Sequence, residues 1–233
     1  MRLNGKKTVL MILLSAAAGL LAGSILKFTP VSTVFNPTEF TVILDAGHGE
    51  PDGGATGAAG TVEKDINLAI TKKLREVFEG KGIRVIMTRE TDSGIQDGGN
   101  TIREMKRSDM NKRLDIMKKS RADLFLSIHM NYFPSKEANG LRVFYDKNHE
   151  ETEELAKQIQ DKIGEVTGAK TYAVKTADQS LFLMKNPPLP SVLVECGFLS
   201  NPEEEKKLND EEYQAKIAWG IAYAVENYYN LNK

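Results

Sequence analysis

Three side chains able to do metal or proton chemistry stand at, or just past, the ends of strongly apolar runs: His48 follows "TVILDAG", His129 closes "LFLSI" and Glu195 closes "SVLV". A segment needs apolar residues while it crosses a core, and an abrupt switch to a reactive group marks where it leaves. In open α/β sheets ligands bind at the carboxyl ends of the strands, so three such switches could set two imidazoles and a carboxylate along one sheet edge. The chain has only three histidines, and neutral imidazole is the commonest metal ligand. One strand-end histidine is as readily a hydrogen-bonded core residue. Two of them beside a strand-end glutamate are hard to ascribe to packing. A catalytic zinc typically takes three protein ligands plus water. The acidic candidates near His48 are Asp45, Glu50, Asp52 and Glu63, and spacing leaves the choice open. Glu63 opens a predicted helix after the glycine-rich loop 53–60, so that loop could fold its carboxylate back over the strand end. His149, in "KNHEE", reads as exposed and idle.

Other chemistries fit less well. The glycines of loop 47–60 permit tight turns and close approach to a ligand, but the stretch has neither G-x-G-x-x-G nor a phosphate-binding lysine, which argues against a nucleotide site. Cys196 adjoins Glu195, and a cysteine amidase would need its thiolate beside an imidazole. If the strand continues, however, Glu195 and Cys196 point to opposite faces, and only one can reach the site. Cys196 is the sole cysteine, so no intramolecular disulfide forms.

The elements that must position these residues alternate along the chain. Apolar runs predict strands at 40–44, 83–89, 122–129, 140–145, 180–184 and 191–195. Helical periodicity predicts helices at Glu63–Phe78, Ile102–Lys119, Glu151–Val166 and Glu211–Tyr229. Strands apolar on both faces and separated by helices imply an α/β fold, here a mostly parallel sheet of about six strands flanked by helices on both faces. One catalytic domain is expected over 40–233.

The first residues differ from the rest. Arg2, Lys6 and Lys7 precede an uncharged stretch from Thr8 to Leu26. Residues 1–27 read as a signal or membrane-anchor segment and 28–39 as a linker, with positive charge before the apolar run favouring export of the C-terminal part. The expected location is extracytoplasmic, anchored or secreted. A net charge of −1 gives no electrostatic handle on nucleic acid.

With these residues in view, "VILDAGHGEPDGGATG" (42–57), "EKDINL" (63–68), "TRETD" (88–92), "ADLFLSIHMN" (122–131) and "LPSVLVECGFLSN" (189–201) together resemble the zinc-dependent N-acetylmuramoyl-L-alanine amidases. The resemblance spans 40–230. It implies one Zn2+ per chain held by His48, Glu63 and His129, with Glu195 as the catalytic base. The implied reaction is hydrolysis of the amide between N-acetylmuramic acid and L-alanine in peptidoglycan. Asn131, Arg89 and Arg113 also match recurrent family positions. Asn131 is a candidate for binding substrate or bracing a loop, and the two arginines for substrate contact or, preferably, structural ion pairing. Ala46 and Glu50 depart from the D-P-G-H-G-G form of the first motif. Within the family the chain is most similar to the germination-specific, spore-cortex amidases, including at 101–117. That likeness implies removal of peptide from muramic acid so that muramic-δ-lactam can form. A vegetative wall amidase is the nearby alternative, and a non-catalytic wall-binding protein or an enzyme needing an activating partner a further one.

Overall fold

The structure, a computed structural model, describes residues 40–231 apart from Gln179; the segment 1–27 and the linker 28–39 lie outside the described residues. Among the described residues no helix is long and apolar enough to cross a membrane. Six strands, β1 (Thr41–Ala46), β2 (Arg84–Met87), β3 (Leu124–Asn131), β4 (Arg142–Tyr145), β5 (Lys175–Thr176) and β6 (Ser191–Phe198), form one sheet in the order β2-β1-β3-β6-β4-β5. Neighbours are parallel except β4 against β6. The α/β architecture with a mostly parallel sheet therefore stands.

Strand alternation divides the core. Val42, Leu44, Leu124, Leu126, Ile128, Val192, Val194 and Cys196 face the larger cluster. There they meet the helices α1 (Glu63–Gly80), α3 (Glu151–Thr167) and, last in the chain, α5 (Glu211–Leu231). Ile43, Phe125 and Leu193 face a smaller cluster, covered by α2 (Ile102–Lys119) through Met117 and by a short 3₁₀ turn, Phe182–Met184. Asp45, Ser127 and Glu195, two residues on along the same strands, share this thinly covered face.

Helix α1 shows what holds such elements. Ile66, Ile70, Leu74 and Phe78 recur every fourth residue and are buried. At roughly 1.5–3 kcal/mol per buried side chain, this face far outweighs the missing side-chain cap at Val62, worth about 1 kcal/mol. The first amides are instead satisfied by the glycine-rich loop: Glu63 N donates to Ala55 O (2.9 Å) and Lys64 N to Gly53 O (3.1 Å). Sequence and structure diverge at 180–184, expected as a strand. Asp178 accepts the Ser180 amide (2.7 Å), and Met184 N donates to Leu181 O (2.9 Å), so local bonds close a turn there. An apolar run this short fits a strand or a helical turn equally well. Helix α4 (Pro202–Leu208) and the two-residue β5 are additional elements.

The chain runs from β1 to β2 on one side and returns to place β3 on the other. Strand order thus reverses between β1 and β3, which is where open α/β sheets leave a crevice for a ligand at the carboxyl ends.

Candidate metal centre

His48 lies just beyond the carboxyl end of β1, and His129 near that of β3, one on each side of this crevice. His48 adopts a left-handed backbone (φ 62), uncommon for a residue with a side chain. Two buried arginines over-determine that turn. Arg89 donates to the carbonyls of Ala46 (2.9 Å) and Gly47 (3.0 Å), as well as to Lys64 O (2.7 Å). Arg113 donates to Ala46 O (2.9 Å) and His48 O (2.6 Å). Three consecutive carbonyls around the histidine are thereby held by guanidinium groups with rigid, forked donors.

Glu63 provides the third group. It is only 4% exposed, and its Oε1 lies 3.0 Å from His129 Nδ1 and 3.2 Å from His48 Nε2. Its oxygens also accept the amides of Met130 (3.1 Å) and Ala55 (2.8 Å). Burial opposes its ionisation, but hydrogen bonds and charge from the two imidazoles outweigh burial and hold the carboxyl well below the usual carboxylate range. Two glycines make the approach geometrically feasible. A Cβ on Gly47 would lie 2.3 Å from His129 Cε1, and one on Gly54 2.5 Å from Glu63 Oε2.

The remaining acidic candidates near His48 are engaged elsewhere. Asp45 is buried in an ion pair with Arg113 and accepts Ser127 Oγ (2.6 Å) and Thr88 Oγ1 (2.8 Å). Glu50 meets Lys64 at 3.3 Å. Asp52 accepts from His48 Nδ1 at 2.9 Å and from Lys106 Nζ at 2.7 Å. Asp52 therefore turns Nε2 of His48 toward Glu63, the carboxylate–histidine arrangement that commonly orients metal ligands. Burial lowers the His48 pKa, yet the bonds to Asp52 and Glu63 raise it to about 9. The electrostatics that draw a proton there would equally draw a cation. One ligand atom each from His48, Glu63 and His129 lies within 4.8 Å of the others, so these residues could hold a metal ion. Two nitrogens and one carboxylate oxygen, with a fourth position left over, is a donor set that suits a catalytic zinc.

Glu195 pairs with His129 across β3 and β6. Its Oε2 is buried and finds no hydrogen-bond partner. Desolvation, reinforced by Glu63 and opposed by the two histidines, pushes its pKa up to about 7. His48, Asp52, His129 and Glu195 share a pocket of about 300 Å³. Its apolar wall, including Met110 of α2 and Leu181, Leu183 and Met184 of the 3₁₀ segment, was not foreseen from sequence.

Arg89 and Arg113 are 3% and 0% exposed, and neither lines this pocket. Both brace the backbone through the carbonyls of Ala46, Gly47, His48 and Lys64. Asn131 does not line the pocket either, and its carbonyl accepts the Leu199 amide at 2.9 Å. His149 is half-buried and bonded to Asp146 at 2.8 Å, so it is occupied rather than idle. Cys196 is 1% exposed in the larger core, where burial pushes its thiol pKa well up. It faces away from Glu195's side of the sheet, which removes the basis for a thiolate nucleophile. Sequence reasoning also missed α4, whose Glu205 accepts the amides of Ala59 (3.0 Å) and Thr61 (3.2 Å), pinning the loop that leads into Glu63.

A family model described as N-acetylmuramoyl-L-alanine amidase matches residues 42–227. The germination-specific N-acetylmuramoyl-L-alanine amidase of Bacillus subtilis is 36% identical over 189 residues, covering 81% of this chain and 79% of that protein. The amidase AmiA of Escherichia coli is 30% identical, covering 81% and 76%. Among solved structures, the CwlD amidase from Clostridioides difficile, in complex with the GerS lipoprotein, superposes with a TM-score of 0.79 at 44% identity, covering 82% of this chain and 99% of that one.

Proposed function

The chain belongs to the N-acetylmuramoyl-L-alanine amidase family, and we propose that it acts on spore-cortex peptidoglycan with zinc held by His48, Glu63 and His129 and with Glu195 as general base. Hydrolysis of the amide between N-acetylmuramic acid and L-alanine is the activity this membership carries. The observation that supports the residue roles is the meeting of three ligand atoms within 4.8 Å of one another with the unpartnered, buried Oε2 of Glu195.

Zinc bound there would supply Lewis-acid chemistry, polarising the scissile carbonyl and acidifying water. Glu195, with its pKa near 7, is poised to take a proton from water and return it to the amine of the departing alanine. Its free oxygen is the acceptor. Asp52 fixes the His48 tautomer, and Arg89 and Arg113 keep the His48 backbone from drifting, so that the ligands stay where the base can serve them. The apolar pocket wall limits bulk water around the reacting atoms.

The cortex role is supported by the germination-specific Bacillus relative and the CwlD structure. Peptide removal there would leave muramic acid ready for muramic-δ-lactam formation. The Clostridioides relative was solved with a lipoprotein, so an accessory protein belongs to the proposal. So does export or anchoring through segment 1–27, since the wall lies outside the membrane.

Incubating the purified protein with cortex muropeptides, with and without zinc, tests this reading. Mass spectrometry should detect free peptide and peptide-less glycan only with metal present, and Glu195→Gln should slow release by about 10²–10⁴-fold. Equal rates for wild type and Glu195→Gln, or full activity after chelation, would overturn the assignments.

A further inference from the structure

The mechanism gives no role to Lys106, a charged residue that lines the same pocket. Lys106, from α2, is the only lysine or arginine lining it among the described residues. Its side chain is 49% exposed, and it is bonded to Asp52 at 2.7 Å. An ammonium carries three donors; the bond to Asp52 takes one and leaves two for a ligand. Beside Lys106 and Glu195 the pocket's lining is largely apolar and includes Met110, Leu181, Leu183, Met184 and Leu193. Among the described residues no other lysine or arginine lines this pocket to balance an anionic substrate group.

We propose that Lys106 is a specificity-determining residue that reads a carboxylate on the peptide side of the scissile amide, in the residue that follows the alanine. This rests on the amidase reading, and chemistry fixes the side. The carboxyl of N-acetylmuramic acid is consumed in the amide, leaving neutral hydroxyl and acetamido groups on the glycan side. An anion close to the scissile bond therefore comes from the peptide. Size fixes the position. Treated as a sphere, a pocket of 300 Å³ is about 8 Å across, and an extended peptide advances about 3.3–3.6 Å per residue. The pocket thus accommodates alanine against the apolar wall and one further residue. A charge-assisted hydrogen bond to the ammonium would orient that residue and carry the alanine nitrogen toward Glu195.

The test uses the zinc-loaded chain and two muropeptides that differ only in whether the carboxylate of the residue after alanine is free or amidated. Wild type should cleave the free acid with a kcat/KM about tenfold higher, the size of one charge-assisted hydrogen bond. Lys106→Gln should bring the ratio close to one, Lys106→Glu should invert it, and Lys106→Arg should retain it. A purely structural role for Lys106, acting through Asp52 on His48, would lower both rates and leave the ratio untouched; that result overturns the proposal. So does a wild-type ratio of one. Failure of wild type to cleave either substrate, with its accessory protein supplied, would instead overturn the amidase reading on which the proposal stands.

Discussion

Replacing Arg113 with leucine should unfold the site's scaffold before it touches any reacting group. Arg113 is 0% exposed and its partner Asp45 1%, and the same guanidinium bonds Asp109 at 2.6 Å and His48 O at 2.6 Å. Removing one partner of such a buried pair costs about 3–5 kcal/mol, because a charge is left uncompensated. A domain's whole stability is of order 5–15 kcal/mol, so the loss is a large share of it. At roughly 2–4 °C per kcal/mol for a domain of this size, Tm should fall by about 6–20 °C. The pH dependence carries the sharper signature. In wild type, burial pushes the Asp45 pKa up, but Arg113 and the hydroxyls of Ser127 and Thr88 outweigh it and hold the pKa below its ordinary value. Its contribution is therefore present above the unfolded pKa of about 3.9 and is lost as pH falls through the folded value. In Arg113→Leu burial prevails and the folded pKa rises, so stability is present below the unfolded pKa and lost as pH rises through the folded one. Urea unfolding of both proteins should show a gap widest near neutral pH, narrowing as pH falls toward ~4 and narrowing further below it as pH passes through the wild-type folded value. Adding Asp45→Asn to Arg113→Leu should recover part of the loss. A gap under about 1 kcal/mol, or one that does not vary with pH, would refute this account of the pair.

Three further outcomes concern the centre itself. Asp52→Asn removes the carboxylate that orients His48, and competition with a chelator should show metal affinity reduced by about 10–100-fold; unchanged affinity would mean that Arg113 and Arg89 suffice to fix the ring. Gly54→Ala puts a methyl into the space of Glu63 Oε2 at a backbone φ of 70, so metal stoichiometry by atomic absorption should drop below one per chain while far-ultraviolet circular dichroism stays native-like. Cys196→Ala should leave amidase turnover close to wild type and fully sensitive to chelation, since the thiol lies in the core opposite the site; loss of turnover in a folded, metal-loaded variant would restore the thiolate mechanism.

Much of the scaffold was legible in the sequence because burial writes itself as apolar runs. The helix Ile102–Lys119 has its expected bounds; the strand carrying His129 begins and ends two residues later than the apolar run 122–129, and the one carrying Glu195 starts at Ser191 as expected and runs on to Phe198. What escaped depends on path rather than pattern. The run 180–184 is a turn because Asp178 and Leu181 supply local acceptors, which apolar spacing does not reveal. Helix α4 was readable, since Asn201 caps it and Pro202 opens it before three glutamates, a signature of helix starts. The role of Asp52 was hidden, because nothing in the order H-G-E-P-D foretells a left-handed His48 that bends Asp52 back onto its ring. Strand order was hidden too, and with it the fact that the two histidines flank the reversal between β1 and β3.

The division of labour between the two glutamates is where fold and chemistry meet. Both carboxyls sit in the same low-dielectric cleft, so burial alone would push both pKa values upward. Glu63 escapes because it begins a helix whose first turn is pressed against the loop and strand carrying the two imidazoles; backbone amides from Ala55 and Met130 and both rings converge on it. Glu195 projects from the middle of a sheet edge, where neighbouring strand amides are spent on the ladder, and one of its oxygens has no partner at all. One site therefore contains a carboxylate held ionised and another with its pKa near 7. Carboxylates whose surroundings push their pKa values apart in this way take different tasks: the first suits a permanent ligand, and the second suits a group that must gain and release a proton in each turnover. The topology sets that asymmetry, since the start of α1 brings Glu63 against the amides of Ala55 and Met130 and both rings, whereas Glu195 leaves a strand whose neighbours offer it no such donors.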